Sequence, residues 1–305
     1  MIRIPGGTFR MGSDNHYPEE KPVHSVTVDG FWIDPTPITN AQFRSFVKAT
    51  GYVTWAEIDP DAKDYPGARP EMLKAGGLVF TPPSKPVGLA DWSQWWRFTF
   101  GATWRRPYGK GSHIGGLDDH PVVQVAYKDA EAYAKWAGKE LPTEAEWELA
   151  ARGGLDGAEF AWGDELTPGG KHMANTWQGD FPAENTRADG FARTSPVRTY
   201  PPNGYGVFDM IGNVWEWTID WYSTQHEADA AKACCVPENP RGATMEQSYD
   251  PNDRVRIPRK VLKGGSHLCA PSYCKRYRPA ARHAEQIDTT TSHVGFRCIV
   301  RQPAV

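Results

Sequence analysis

The 305-residue chain carries 34 Lys+Arg against 37 Asp+Glu, a formal charge of −3 that gives no electrostatic footprint for nucleic acid or an anionic membrane. Its 30 Gly and 26 Pro argue against a helical bundle or coiled coil, and 12% aromatics with 13 Trp argue against disorder. A loop-rich globular protein with a real core remains.

Residues 1–13 run straight into an alternating strand pattern, without a charged region ahead of an apolar one, so no secretory leader is expected. No stretch approaches the roughly 18 uninterrupted apolar residues of a membrane span. Residues 23–33 alternate with β-branched side chains and read as strand, turn, strand. Thr39 with Gln42 forms a capping-box pattern; Phe43, Phe46 and Val47 then make one apolar face that Gly51 ends. Residues 55–115 read as irregular, with Trp92, Trp95, Trp96 and Trp104 available as an aromatic recognition surface. A second helix is expected from Asp129 through Trp136 to Gly138. A third follows the capping box of Thr143 with Glu146 and carries Trp147 and Ala151 towards Gly153. Residues 155–205 and 222–258 lack periodicity, and loops of that length are functional or fastened by something other than secondary structure. Strand-like pieces at 259–263 and 296–301 close the chain. With no internal repeat or linker, residues 1–305 are expected to form one α+β domain, loop-rich and low in regular secondary structure.

The densest chemistry lies in residues 264–278, where Cys269 and Cys274 sit near Lys275, Arg276 and Arg278. Nearby cations favour thiolate. Three readings compete: two buried small side chains, a redox disulfide with unusual C-x4-C spacing, or a soft-metal site. Two thiolates suit Cu(I). A zinc site would need more ligands, which His267, His283 and His293 supply on paper without matching any finger spacing. Residues 203–217 offer Asp209, Asn213 and Glu216 among glycines; residues 175–177 and 189–191 offer Asn175 and Asp189. Each stretch reads either as a turn beside a Trp-rich core or as an oxygen-donor calcium site. Cys298 alternates with Phe296 and Val300 and reads as core, whereas Cys234-Cys235 lies in a polar loop. Five cysteines are no disulfide framework, and a reducing compartment, the cytoplasm, fits them. Hydrolase elbows, P-loops and H-E-x-x-H pairs are missing.

Together, residues 6–13, 37–40, 141–147, 212–217, 264–266 and 295–298 resemble the formylglycine-generating enzyme (sulfatase-modifying factor) family over nearly the whole chain. Relatives such as the iron-dependent sulfoxide synthases share this framework. The constellation Ser266, Cys269, Tyr273, Cys274 resembles the active site of the formylglycine-generating members. The resemblance implies a fold related to the C-type-lectin-like one. It also implies an O2-using oxidase that converts the cysteine of a Cys-x-Pro-x-Arg motif in an unfolded sulfatase polypeptide to Cα-formylglycine, with a thiol reductant. It places one Cu(I) on Cys269 and Cys274, with Ser266, Tyr273 and Trp215 around the substrate. Structural calcium is implied at Asn175, Thr176, Asp189 and Phe191, and at Asp209, Met210, Gly212 and Val214. Three departures stand out: Ala134, Ala151 and Pro279 where secreted members carry disulfide cysteines, His293 where the family has Asn, and Cys234-Cys235 without a family role. A non-catalytic lectin-like peptide- or ligand-binding module and an iron-dependent sulfoxide synthase relative are the alternative functions.

Overall fold

Four short sheets and three helices frame long loops in the computed structural model, which describes residues 1–226, 236–253 and 255–301; Cys234 and Cys235 lie outside the described residues. Strands β1 (Ile2–Ile4), β2 (Gly7–Met11), β3 (His24–Val28) and β4 (Phe31–Ile33) open the chain. Helix α1 (Asn40–Thr50), the hairpin of β5 (Gly76–Phe80) and β6 (Trp96–Phe100), and helices α2 (Tyr127–Trp136) and α3 (Glu144–Arg152) follow. Strands β7 (Trp215–Trp221), β8 (Arg259–Lys263), β9 (Arg282–Gln286), β10 (Val294–Gly295) and β11 (Ile299–Arg301) complete the order. The mixed, loop-rich α+β class expected from composition is observed. None of the described helices is long and apolar enough to cross a membrane.

The helices begin where local chemistry says they should. Thr39 Oγ1 accepts from Gln42 N at 3.3 Å and Gln42 Oε1 accepts from Thr39 N at 2.8 Å, while Gly51 at φ 69° closes α1. Thr143 and Glu146 make the same reciprocal pair at 3.1 and 2.6 Å. Helix α2 starts two residues before Asp129. The Asp129 carboxylate sits in the first turn and reaches back to accept from Ala126 N at 2.8 Å.

Two expectations needed revision. Residues 55–115 contain a regular hairpin, β5 with β6, in the register Phe80↔Trp96, Leu78↔Phe98 and Gly76↔Phe100. Its inner face needs glycine: a Cβ on Gly77 would stand 2.2 Å from Gln124 Oε1. The outer face carries aromatics, so the alternation does not resemble an ordinary half-buried strand. Residues 296–301 do not form one strand either. The chain leaves β10, which runs parallel to β7, and enters β11, antiparallel to β4. Between them the Phe296 and Cys298 carbonyls accept from Ile38 N (2.8 Å) and Asp34 N (2.9 Å), and both side chains are buried, as expected for Cys298.

The sheet order β10-β7-β8-β9 makes β7 and β8 the inner strands of the largest sheet, with α3 packed against both. Trp147, Trp217 and Phe296 fill this core. The thiol-bearing loop leaves the end of β8.

Candidate active site

Gly264 and Gly265, at φ 95° and 71°, turn the chain out of β8 where side chains have no room. A Cβ on Gly264 would meet Met210 O at 2.8 Å, and one on Gly265 would meet Arg276 O at 2.8 Å. Two tight turns follow. Ser266 O accepts from Cys269 N at 2.9 Å, and Ala270 O accepts from Cys274 N at 3.0 Å. They bring Cys269 Sγ to 3.3 Å from Cys274 Sγ. That is a thiol–thiol hydrogen bond, well beyond the ~2.05 Å of a disulfide. Cys269 is buried and Cys274 partly so.

The two sulfurs are not equivalent. A hydrogen bond from Cys269 and the nearby Arg276 guanidinium, Nη1 at 3.9 Å, hold the Cys274 thiol below its ordinary range against the effect of burial. Burial, and then donation to Cys274, push Cys269 up. The pair is therefore a buried thiol donating to a thiolate-leaning partner. Arg276 is itself fixed by Glu19 at 2.6 Å and by the ring of Tyr17 at 3.9 Å, and Tyr17 OH accepts from Lys275 N at 3.1 Å. Tyr17 and Glu19 escaped the sequence reading, because nothing local signals a contact across 257 residues.

Ser266, Cys269, Tyr273 and Cys274 share this one loop. Ser266 is fully buried, its Oγ accepting from Leu268 N at 3.2 Å. Tyr273 is partly exposed and stacks on Phe181 at 4.5 Å, with Trp95 edge-on at 5.6 Å. Trp215 enters the same core as Cys269 from β7, its indole 5.6 Å from the His283 ring. The His293 carbonyl accepts from Trp215 N at 2.9 Å, its Nδ1 bonds Thr291 Oγ1 at 2.6 Å, and its ring lies 4.7 Å from the Trp96 ring. Burial keeps His267, His283 and His293 neutral, lowering His267 and His283 to about 4. Among the described residues no three His, Cys, Asp or Glu side chains converge as a metal-holding group, so these histidines do not complete a zinc set with the thiols. The donors at this loop are two soft sulfurs, a set that fits a soft ion of low coordination number.

The two oxygen-rich stretches meet at a common junction. Asn175 Nδ2 donates to the Arg193 carbonyl at 2.8 Å, Gln178 spans the Thr176 carbonyl and the Asp189 amide, and Asp189 accepts from Phe191 N at 3.0 Å. In the other stretch Asp209 accepts from Arg198 N at 2.8 Å, Met210 is buried, and Val214 leads into β7. Gly212 N donates to Gly264 O at 2.9 Å and Asn213 N to Asn175 O at 2.8 Å, which ties the stretches to each other and to the start of the thiol loop. Burial pushes the Asp209 carboxyl up to about 6. Each set offers one carboxylate among neutral oxygens, hard donors of the kind Ca²⁺ takes.

The aromatic surface expected over Trp92–104 is corrected. Trp92 is exposed, but Trp95 and Trp104 are fully buried. Trp95 packs with Trp177, Phe181 and Leu268 in a second core beneath Tyr273, a cluster that sequence spacing did not reveal. A cavity of about 500 Å³ opens beside it, lined by Phe80, Trp177, Glu184, Arg193, His267 and Leu268.

Residues 1–302 match the family model described as sulfatase-modifying factor enzyme 1-like domain. The chain is 54% identical over 300 residues to a formylglycine-generating enzyme of Mycobacterium tuberculosis, covering 98% of this chain and 97% of that one. It is 47% identical to a formylglycine-generating enzyme of Streptomyces coelicolor, over 98% and 88% of the two chains. Among solved structures, PvdO from Pseudomonas aeruginosa shares the fold at TM-score 0.63 and 24% identity, over 98% and 93% of the chains. With a match spanning the whole frame around the thiol loop, the chain belongs to the sulfatase-modifying factor family.

Proposed function

We propose that this protein is a copper-dependent formylglycine-generating oxidase. It would use O2 and a thiol reductant to convert the cysteine of a Cys-x-Pro-x-Arg motif in an unfolded sulfatase polypeptide to Cα-formylglycine. The observation that carries the proposal is the Cys269–Cys274 pair, two free thiols 3.3 Å apart within the family frame. Cys269 and Cys274 hold one Cu(I), which when bound supplies soft-metal redox chemistry with O2 at the substrate sulfur. Arg276 sets positive charge beside Cys274, so a thiolate there is stabilised without a further ligand. Ser266 and Tyr273 present hydroxyls to the substrate cysteine from the same loop, and Trp215 closes the site from β7. Proximity then replaces a bimolecular encounter with an oriented one.

Two structural calcium ions belong to the same proposal, one at Asn175, Thr176, Asp189 and Phe191 and one at Asp209, Met210, Gly212 and Val214. They fasten the long loops that carry little secondary structure. The scarcity of cysteine, and Ala134, Ala151 and Pro279 at the family's disulfide positions, support a reducing, cytoplasmic setting.

The test is turnover of a Cys-x-Pro-x-Arg peptide with Cu(I) and O2, with the aldehyde followed by mass spectrometry and bound copper counted in parallel. One copper per chain is expected, with both copper and aldehyde lost in Cys269→Ala. Unchanged turnover in that variant overturns the assignment. Turnover that follows iron instead of copper favours a sulfoxide-synthase relative, and absence of any turnover in the wild type favours a binding module.

A further inference from the structure

The two faces of the β5–β6 hairpin differ. Gly77 and Val79 point inward, Gly77 against Gln124 and Thr290, and both are buried. Gly76, Leu78 and Phe80 share the other face with their register partners Phe100, Phe98 and Trp96. At one end this face reaches the thiol loop: Phe80 lies 5.8 Å from Phe181, which stacks on Tyr273, and Trp96 lies 4.7 Å from His293. At the other end Leu78 and Phe98 border an apolar groove of about 320 Å³, with Trp55, Ile58, Met72 and Leu73 on its walls. Much of this wall faces solvent, with Ile58 50%, Met72 48% and Phe98 47% exposed, and Phe100 beside Phe98 is 46% exposed. Exposed apolar side chains clustered in this way on a protein surface mark a binding region more often than chance exposure. Two charged side chains also line it: Asp288 accepts from Tyr65 OH at 2.5 Å, and Lys74 lies 5.9 Å from the Phe100 ring. Beside them the groove offers shape and apolar area to an apolar side chain.

Its continuity with the thiol loop decides which occupant. A polypeptide substrate must leave the site along the surface on either side of its reactive cysteine. Ring contacts of 4.5 Å (Tyr273–Phe181) and 5.8 Å (Phe181–Phe80), and then the two-residue step from Phe80 to Leu78, lead from the thiol loop to the groove, a path that about five residues of extended chain at ~3.3 Å each can follow. We propose that this face is an exosite for the substrate polypeptide, its groove taking a large aliphatic or aromatic side chain about five residues from the reactive cysteine. The inference rests on the polypeptide-modifying function proposed above. It adds a specificity element outside the Cys-x-Pro-x-Arg motif.

Three kinds of peptide test it: the bare motif, the motif extended by eight residues with Leu at the fourth to sixth positions, and the same extension with Ser there. Extensions are made on the N-terminal and C-terminal sides separately. Initial rates are measured on wild type, Phe98→Ser and Met72→Ser, both exposed positions away from the thiols. Anisotropy of labelled peptides whose reactive cysteine is replaced by serine runs in parallel. One Leu extension is expected to lower KM and the binding constant about tenfold, with kcat unchanged, relative to its Ser counterpart. Both variants should lose most of that gain and process the bare motif as wild type does. Equal behaviour of Leu and Ser extensions on both sides, or a gain that survives both substitutions, overturns the exosite. Failure of the bare motif to be oxidised by wild type overturns the oxidase instead, and the anisotropy still decides the exosite.

Discussion

Arg297 is fully buried, and its guanidinium is satisfied from several directions. Nε and Nη2 donate to the two Glu216 oxygens at 2.7 and 2.8 Å, and Nη2 also reaches the Phe208 and Asp209 carbonyls at 3.0 Å each. Glu216 additionally accepts from Trp147 Nε1 at 2.8 Å. The pair therefore fastens β7 to the turn that carries one proposed calcium set. Replacing Arg297 with Met would leave Glu216 as an uncompensated charge in a dry core, at a cost of about 3–5 kcal/mol. Urea denaturation should show that loss for Arg297→Met, and the double variant with Glu216→Gln should recover part of it. A double variant no more stable than the single one would show that the pair's charge balance is not the cause. In the sequence Arg297 sits between Phe296 and Cys298 and reads as the outward residue of a strand. Only the crossing between two sheets explains why it points inward.

At the scale of elements, the turn from Phe208 to Val214 holds Asp209, Gly212 and Asn213 at φ 52°, 75° and 59°. Gly212 is the position that tolerates no side chain: a Cβ there would stand 2.4 Å from the Asn175 carbonyl oxygen. Gly212→Ala should cost about 2 kcal/mol or more, combining left-handed strain with backbone displacement. It should also separate the two oxygen-donor loops. Thermal unfolding with calcium and with chelator checks both points. Wild type should gain several degrees with calcium, and Gly212→Ala should start lower and gain less. A wild-type Tm indifferent to calcium would remove the calcium assignment. What was legible at this scale was local chemistry. The Thr39–Gln42 and Thr143–Glu146 pairs announce helices because cap and partner lie three residues apart. The β5–β6 hairpin was illegible because its strands are separated by a long Pro-containing loop and its exposed face is the aromatic one.

Across the whole molecule, helix α3 has every residue buried, including Glu144, Glu148 and Arg152. Its acids meet cations from the central sheet and from the helix itself: Glu148 lies 3.0 Å from Lys263 and, one turn along, 2.7 Å from Arg152, and Glu144 lies 2.8 Å from Arg282. Burial opposes ionisation of Glu148, yet Lys263, Arg152 and the Gly12 amide hold its carboxyl down to about 2. Because this value lies below that of an unfolded Glu, about 4.3, the native state keeps the carboxylate more readily than the unfolded chain. The stabilisation is complete above the unfolded value and is lost as pH falls towards 2. Urea midpoints should therefore be insensitive to this group above about pH 5 and fall below it. Glu148→Gln should be less stable at neutral pH and show a shallower acid loss; an identical acid profile would exclude Glu148 as its source. Composition had indicated a loop-rich protein with a real core, but not a core containing paired charges. Apart from the i,i+4 pair of Glu148 with Arg152, the partners lie on different elements, and no spacing rule connects Glu148 to Lys263 or Glu144 to Arg282. The Cys269–Cys274 pairing and the nearby Arg276 were legible because they fall within one short segment, whereas Tyr17 and Glu19, which hold Arg276, were not.

Strand β4 lies between β1 and β11, so Ile33 faces Ile2 on one side and Ile299 on the other. Joining Ile33 to Ile299 closes a loop of roughly 270 residues, for which chain entropy alone asks about 5 kcal/mol. That closure gains little until the intervening core has formed, so it belongs late in folding. During synthesis the thiol loop leaves the ribosome before β11 does. The segment that carries the chemistry is thus made before the strand that completes the three-stranded sheet, and a nascent chain stopping short of β11 has the cysteines without the finished frame that holds them.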